Sequence, residues 1–477
     1  MKRLIALLVT AIMLMGTLAA CNNPAGSSSA PPNTTKASEE ATKESETDPA
    51  PEIEPCTITF WSGDRHDMEY IQKHIDKFNK ENKYGITVEA QFLTDDLETM
   101  YKLAYETGDA PDVIGGSNKT VETYGGAYLL NLEPLAAADP TYSKEMEIET
   151  RKYAYKNWDP ALNEVYCYYG AIRTGTRAEY NIELVKAAGY EELPTKLSDY
   201  IDMAKKITAA GNGEYYGIGF TSSSPFERFC EQVAMNSGIT WCYDYKNGKF
   251  DFSGYKEIIE ECKRFIAEEI AYPDQQGVDN MRALFAEGEF ALWQNASQEI
   301  GVFTEQIPIK DFEWGVGALP TLTGEVKGAL DCMVQKGYCI TKTSEHVDAA
   351  WEFIKYMQSL DVLVGYCEAG YSAPLTNAVR DKYDASKAGR MGEFQGAAYD
   401  EVYPSYPSVN LTGDNYRKTL WEAVMGNVDV DEAIADCNKR YNDALEADIK
   451  SGDVLRVVIP DFDPMHPNDG TIEYRNE

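Results

Sequence analysis

Acid–base and metal chemistry at neutral pH draws first on histidine, and this chain carries four: His66, His74, His346 and His466. None stands in the H-E-x-x-H arrangement that places two imidazoles on one helix face around zinc. Cys56, Cys167, Cys230, Cys242, Cys262, Cys332, Cys339, Cys367 and Cys437 include no C-x-x-C pair, so zinc-ribbon and thioredoxin-like sites lack their spacing. Their odd number leaves at least one thiol free, and no disulfide pairing follows from the sequence. The G-x-S-x-G nucleophile turn, the P-loop and the G-x-G-x-x-G dinucleotide turn are missing. Asp461-Phe462-Asp463 with Asp469-Gly470 has the wrong spacing for a calcium loop. Glycoside hydrolysis needs only two suitably separated carboxylates, and 78 acids offer pairs without singling one out. The expectation is no catalytic residue, no metal and no cofactor.

Two loops offer binding chemistry instead. Thr57-Ile58-Thr59-Phe60-Trp61 is a β-rich run stopped by Ser62-Gly63-Asp64, after which Met68, Ile71, Ile75 and Phe78 recur at helical spacing. Ile86 to Ala90 reads as a second strand. Leu97, Met100, Leu103 and Ala104 form a helical stripe that breaks at Gly108, and Pro111 to Ile114 reads as a third strand. Alternation of this kind predicts a parallel sheet, whose ligands bind beyond the carboxyl ends of the strands. Residues 62–65 and 115–119 are therefore candidate cleft loops. Farther on, the pattern changes through 164–169 and 173–180, ahead of helices carrying Leu184, Val185 and Ala188 and then running from Pro194, Thr195 and Leu197 through Ile207. Asn247-Gly248 marks a hairpin turn. Helices are predicted at 258–270, 281–287, 347–360 and 419–425, completing an α/β chain.

With 43% hydrophobic and 12% aromatic residues, the 477-residue chain can bury cores for two lobes. Its 44 Lys and Arg against 78 acids give a net charge of −34, which repels nucleic-acid backbones and anionic lipid. Such acidity, with 32 tyrosines and 7 tryptophans, suits neutral or cationic small molecules, or serves solubility alone.

Lys2 and Arg3 precede an apolar run from Leu4 to Leu18, too short for a membrane span, as in a secretory signal over residues 1–20. Leu18-Ala19-Ala20-Cys21 matches the bacterial lipobox, in which the cysteine takes a diacylglyceryl group before cleavage. The alternative is an ordinary signal with an incidental cysteine. Removing Lys2 and Arg3, with no acid, takes the charge from −34 to −36, so lipid on Cys21 rather than charge would hold the chain to the membrane. Residues 21–55, rich in Ser, Thr, Pro, Ala and Glu after Cys21 and without an aromatic, read as a flexible acidic tether.

From Thr57 to about Leu445 the chain resembles the substrate-binding lipoproteins of ABC importers, in the extracellular solute-binding family that contains the maltose-binding proteins. The residues carrying the resemblance are Thr57 to Trp61, Thr107-Gly108-Asp109-Ala110-Pro111-Asp112-Val113, Glu179-Tyr180-Asn181, Ala187-Ala188-Gly189-Tyr190 and Leu193-Pro194-Thr195. They continue with Phe285 to Leu292, Gly315 to Pro320 and Ala349 to Ile354, and their order is specific. The resemblance implies a two-lobed α/β periplasmic-binding-protein-like fold with an interlobe ligand cleft and hinge crossings near Arg173, Leu330 and Tyr371. It divides the chain into lobe 1 at 56–172 and 331–371, lobe 2 at 173–330 and 372–450, and a C-terminal extension at 451–477.

It also implies ligand-binding residues. Asp64 and Arg65 fall where relatives carry an acid and a base that grip hydroxyls, although a solvated loop ion pair is the alternative. Ser117, Asn118 and Lys119 occupy another cleft loop, with Gly115-Gly116 where some members place a tryptophan. Arg173 and Thr174 fall at a polar hinge position, and Phe226 where an aromatic platform is expected. Trp293 is displaced by several positions from the sugar-stacking tryptophan of relatives, and Trp241 and Tyr416 are further aromatic candidates. A core position is the alternative for each of these rings. The implied function is capture of a sugar or oligosaccharide for an ABC permease, by a monomer on the outer face of the bacterial cytoplasmic membrane. A secreted glycoside hydrolase, or a binding protein for a peptide, polyamine or phosphate ester, remains the alternative.

Overall fold

The structure, a computed structural model, describes residues 53–64, 67–93, 97–151 and 164–477, leaving aside the side chains of Asn118, Lys119 and Glu122. Cys21 and Arg65 therefore lie outside the described residues. No described helix is long and apolar enough to cross a membrane.

Strand β1 (Thr57–Ser62) buries Ile58 and Phe60 on one face and is followed by a helix, Met68–Glu81, that turns Ile71, Ile75 and Phe78 inward. β2 (Thr87–Phe92) pairs with β1 in parallel, and β3 (Val113–Gly116) pairs parallel on the other side of β1. β4 (Tyr168–Arg173) ends this first stretch. Three residues later β5 (Arg177–Asn181) opens a second sheet, to which β6 (Tyr216–Ile218) belongs. The Asn247-Gly248 turn joins a hairpin of β7 (Tyr243–Asp244) and β8 (Lys249–Phe250). β9 (Phe290–Asn295) and β10 (Trp314–Gly317) complete the second sheet in the order β10-β5-β9-β6.

β11 (Leu330–Asp331) leads the chain back to β12 (Met333–Ile340) and β13 (Ala373–Pro374), giving the first sheet the order β13-β4-β12-β3-β1-β2. Arriving from the second sheet, β12 enters from the opposite end and pairs antiparallel with both β3 and β4. The first sheet is therefore mixed rather than wholly parallel, a reversal that local alternation of strand and helix does not encode. Leu375 and Val379 still belong to the first core, whereas Met391 and Phe394 pack with Trp314 of the second sheet. β14 (Asp400–Glu401) then pairs with β11.

A 22-residue helix, Val430–Ser451, goes unanticipated although Ile434, Cys437, Tyr441 and Leu445 mark its buried stripe. Asp429 caps its start by accepting the Glu432 N–H at 3.1 Å, and Gly452 ends it at φ 87°. Residues 451–477 are integral to the second body: β15 (Arg456–Val458) and β16 (Glu473–Arg475) form a hairpin, and Val457, Ile459 and Phe462 lie in its core. All nine described cysteines are unpaired thiols and all but Cys56 are buried, acting as small apolar side chains.

The passages between the sheets are tied by a buried ion pair. Arg177, fully buried, donates from Nη2 to Asp400 Oδ2 at 2.6 Å and from Nη1 to Oδ1 at 3.1 Å, and from Nε to the Phe394 carbonyl at 2.8 Å. Asp400 Oδ1 also accepts the Gly175 N–H at 2.9 Å. Removing one partner of such a pair strands the other charge. Arg177→Met or Asp400→Leu should each cost about 3–5 kcal/mol in urea unfolding, with the double variant less harmful than the sum of the two; additive losses would show that the pair does not couple the passages.

Candidate functional site

β12 runs antiparallel to both β3 and β4, so β1, β3 and β4 all end at one edge of the first sheet. In the second sheet β6 and β9 run parallel and end together, next to the start of β5. A cavity of about 200 Å³ lies where these carboxyl edges and the inter-sheet passages meet. The first sheet contributes Arg173 and Met333, the passages Thr174 to Thr176 and Asp331, and the second body Asn295, Ala296 and Gln298 beyond β9. Glu227, Arg228, Glu231 and Gln232 come from the π-helix Phe226–Cys230 and the helix after it, with Trp241 and Arg417 closing the ring.

Four residues that line this space each hold a buried polar atom without a protein partner: Arg173 Nε, Thr174 Oγ1, Gln232 Oε1 and Gln298 Oε1. A buried polar atom left unpaired costs about 1–3 kcal/mol, a cost that a hydrogen-bonding solute reaching these atoms would relieve. Hydroxyls suit it chemically, since they donate to amide oxygens and accept from a guanidinium.

The cavity's charges are graded. Glu231 receives Arg417 as a fork, Nε at 2.7 Å and Nη2 at 2.9 Å, together with the Tyr416 hydroxyl at 2.5 Å. Burial raises the Glu231 carboxyl while Arg417 works against it. Burial pushes Asp331 up to about 7; the Tyr403 and Cys332 N–H groups oppose this, and Asp400 and Glu231 add to it. Burial, and then the charge of Arg228, lowers the Arg173 guanidinium from its ordinary value.

Asp64, at the end of β1, receives Lys336 Nζ at 2.9 Å, and the same ammonium contacts Asp67. Asp67 is fully buried and accepts the Tyr366 hydroxyl at 2.8 Å. Burial acts to lower the Lys336 ammonium, but Asp64 and Asp67 hold it above its ordinary value. Lys336 sits at φ 55°, a left-handed conformation costing of order 1 kcal/mol for a side-chain-bearing residue. Two carboxylates on one buried ammonium hold it there.

The structure brings together Arg173, Thr174 and Trp241. Arg65 and the side chains of Asn118 and Lys119 lie outside the described residues, while the Asn118 and Lys119 backbones form the first turn of the Asn118–Tyr128 helix. Ser117 caps that helix in a reciprocal box with Thr120, accepting its N–H at 3.2 Å. Phe226, 1% exposed, packs against Tyr255 in the second core, so a core phenylalanine stands where a platform was expected. Trp293 is likewise 1% exposed, with its indole N–H on Glu299 at 3.4 Å. Tyr416 is buried and reaches the site through Glu231. Trp241, half-buried, stacks on Tyr403 with centroids 6.1 Å apart and planes at 16°. Glu231, Arg228, Asp331 and Lys336 escape sequence reading: single charged residues in ordinary helix and strand segments give no local sign of convergence. Among the described residues no three His, Cys, Asp or Glu side chains converge as metal ligands.

Folding holds the Asp331 proton more tightly than the unfolded chain does, so its stabilising contribution is complete below the unfolded value near 4 and lost as pH rises through about 7. Urea midpoints at pH 5 and pH 8 should fall more in wild type than in Asp331→Asn, whose amide oxygen still accepts the Tyr403 N–H. Parallel pH slopes would place the titration elsewhere.

Among solved structures, the chain is similar to the sugar-binding protein MalE of Xanthomonas citri at 19% identity and TM-score 0.58, over 82% of this chain and 98% of that one. It is similar to the cyclic α-maltosyl-1,6-maltose binding protein of Arthrobacter globiformis at 15% and 0.62, over 82% and 99%. RafE of Streptococcus pneumoniae matches at 17% and 0.60, over 83% and 99%. These likenesses establish the two-lobed α/β fold. The family model described as bacterial extracellular solute-binding protein matches residues 62–362, well over half the chain, and the protein belongs to that family.

Proposed function

We propose that this protein captures a sugar or oligosaccharide between its two lobes and delivers it, unchanged, to an ABC importer, while held at the outer face of the bacterial cytoplasmic membrane by lipid on Cys21. The observation that carries the reading is the gathering of unpartnered buried polar atoms on residues that line one cavity at the carboxyl edges of both sheets. The names of structural relatives, a sugar-binding protein and a cyclic maltosyl-maltose binding protein among them, support a carbohydrate as the solute. Trp241 supplies an apolar plane for sugar C–H faces, and Thr174, Gln232, Asn295 and Gln298 supply hydrogen bonds to hydroxyls. Asp64, with Arg65, Ser117, Asn118 and Lys119, would enter from the first lobe. Lobe 1 is formed by the first sheet and lobe 2 by the second, and the passages at 174–176, at 330–332 and between Val379 and Met391, the last some way beyond the crossing expected near Tyr371, act as hinges whose closure presents a surface to the permease.

Calorimetry against a panel of mono- and oligosaccharides tests the reading, with chromatography of the recovered ligand. One solute should bind and return intact; shorter products would make the protein a glycoside hydrolase. At a hundredfold excess over Kd the solute should add about 2.7 kcal/mol of stability. Trp241→Ala should weaken its binding roughly three- to tenfold. Cys21→Ala should abolish stable partition with membranes, and unchanged partition would refute the lipid anchor.

A further inference from the structure

We infer that the solute is an acidic sugar, whose oxyanion, a carboxylate foremost, sits against Arg173 and Arg228. The inference rests on the sugar-binding reading and narrows it.

The carboxylates around the cavity are answered by the protein itself. Glu231 holds Arg417 in a fork, Glu227 shares the same arginine at 3.2 Å, and Asp331 accepts the Tyr403 N–H at 3.1 Å. The two remaining arginines make no ion pair among the described residues. Among the described residues neither Arg173 nor Arg228 pairs with a carboxylate: Arg228 donates Nε to the Ser224 hydroxyl at 3.0 Å, and Arg173 donates an Nη to the Met333 sulfur and buries its Nε–H with no acceptor. Burial works against the charge of both; at Arg173 the charge of Arg228 adds to this, while at Arg228 the carboxylates of Glu299, Glu227 and Glu179 oppose it and Arg282 adds to it.

Two part-buried cations lining one small space are held at a cost that a bound anion relieves. The planar guanidinium fork matches a carboxylate better than a lone hydroxyl. The chain's charge of −34 does not decide the matter, because distant surface charges are screened beyond about 8 Å at physiological ionic strength whereas groups in the cavity are not. Trp241, Thr174 and the two glutamines leave the neutral part of the ligand its sugar contacts.

Calorimetry on the mature protein with trigalacturonate, its neutral methyl ester, glucuronate-terminated and sulfated disaccharides, maltotriose, inorganic phosphate and a dipeptide separates the cases. The expected result is an acidic sugar binding at least tenfold tighter than its neutral counterpart. Arg173→Gln and Arg228→Gln should each weaken the acid about ten- to hundredfold and the neutral counterpart only slightly. If either variant fails to fold, wild type still decides: the acid should bind at least tenfold tighter than its methyl ester at both 50 and 500 mM NaCl, since contacts inside the cavity are little screened. Equal or tighter binding of neutral sugars overturns the inference and leaves the sugar reading standing. Arginine-dependent binding of phosphate or dipeptide, with no carbohydrate bound, overturns both, and so does a failure of every acidic and neutral sugar to bind.

Discussion

The arrangement of this molecule depends on how its passages between the two sheets are held, and there the Arg177–Asp400 pair is decisive. Arg177 opens the second sheet, Asp400 belongs to the two-residue strand that pairs with β11, and the Gly175 N–H between them shares the same carboxylate. One fully buried bidentate contact thus fixes the first passage against the β14 segment that follows the third. Asp331 on the second is joined to the same segment by the Tyr403 N–H, and Arg151 reaches Glu401 at 3.0 Å. Such ionic fixation has no claim to be the most stable option, since well-packed apolar residues often serve as well. What it supplies is direction: the guanidinium accepts only partners in its plane, so the passages meet in one register and the cavity beside them keeps its shape.

That cavity departs from the acidic balance of the chain: Glu227, Glu231 and Asp331 line it against Arg173, Arg228 and Arg417. Glu227 and Glu231 are both taken up by Arg417, and Arg173 and Arg228 are left without an ion pair among the described residues. The same logic, with the sign exchanged, operates at Lys336, where two carboxylates share one buried ammonium that in turn holds a left-handed backbone turn in β12. The two clusters lie at the same edge of the first sheet and are linked through β12, which carries Met333 against Arg173 and Lys336 against Asp64. A solute that draws on Arg173 therefore touches a strand whose conformation is set by the Asp64 loop.

Much of this was legible in the sequence where the signal is local. The β1 run, the Ile71, Ile75 and Phe78 stripe and the Asn247-Gly248 turn are patterns of neighbouring residues, and each became the element its period demands. The direction of β12 was hidden because it depends on where the strand comes from, not on its composition. The aromatic candidates divided for a related reason. Phe226 and Trp293 lie in a π-helix and a strand buried on both faces, where every large ring is taken into the core, whereas Trp241 stands just before a short hairpin and keeps part of its face open. Sequence type identifies a ring that could stack, but only packing decides whether a face is left to do so.

That division bears on recognition. With Phe226 and Trp293 committed to the core and glycines at 115 and 116 where some relatives are expected to place a tryptophan, the aromatic surface described at the cavity is small. Stacking of one ring contributes about 0.5–1.5 kcal/mol beyond area burial, far short of what a capture protein needs. The deficit falls to polar groups, and hydrogen bonds to a charged partner contribute about 1.5–3 kcal/mol each against about 1 for neutral ones. A site poor in platforms and furnished with guanidinium groups outside any ion pair reaches useful affinity most readily when its ligand carries charge, so the scarcity of rings at the cavity and the two arginines left unpaired there are two sides of one constraint.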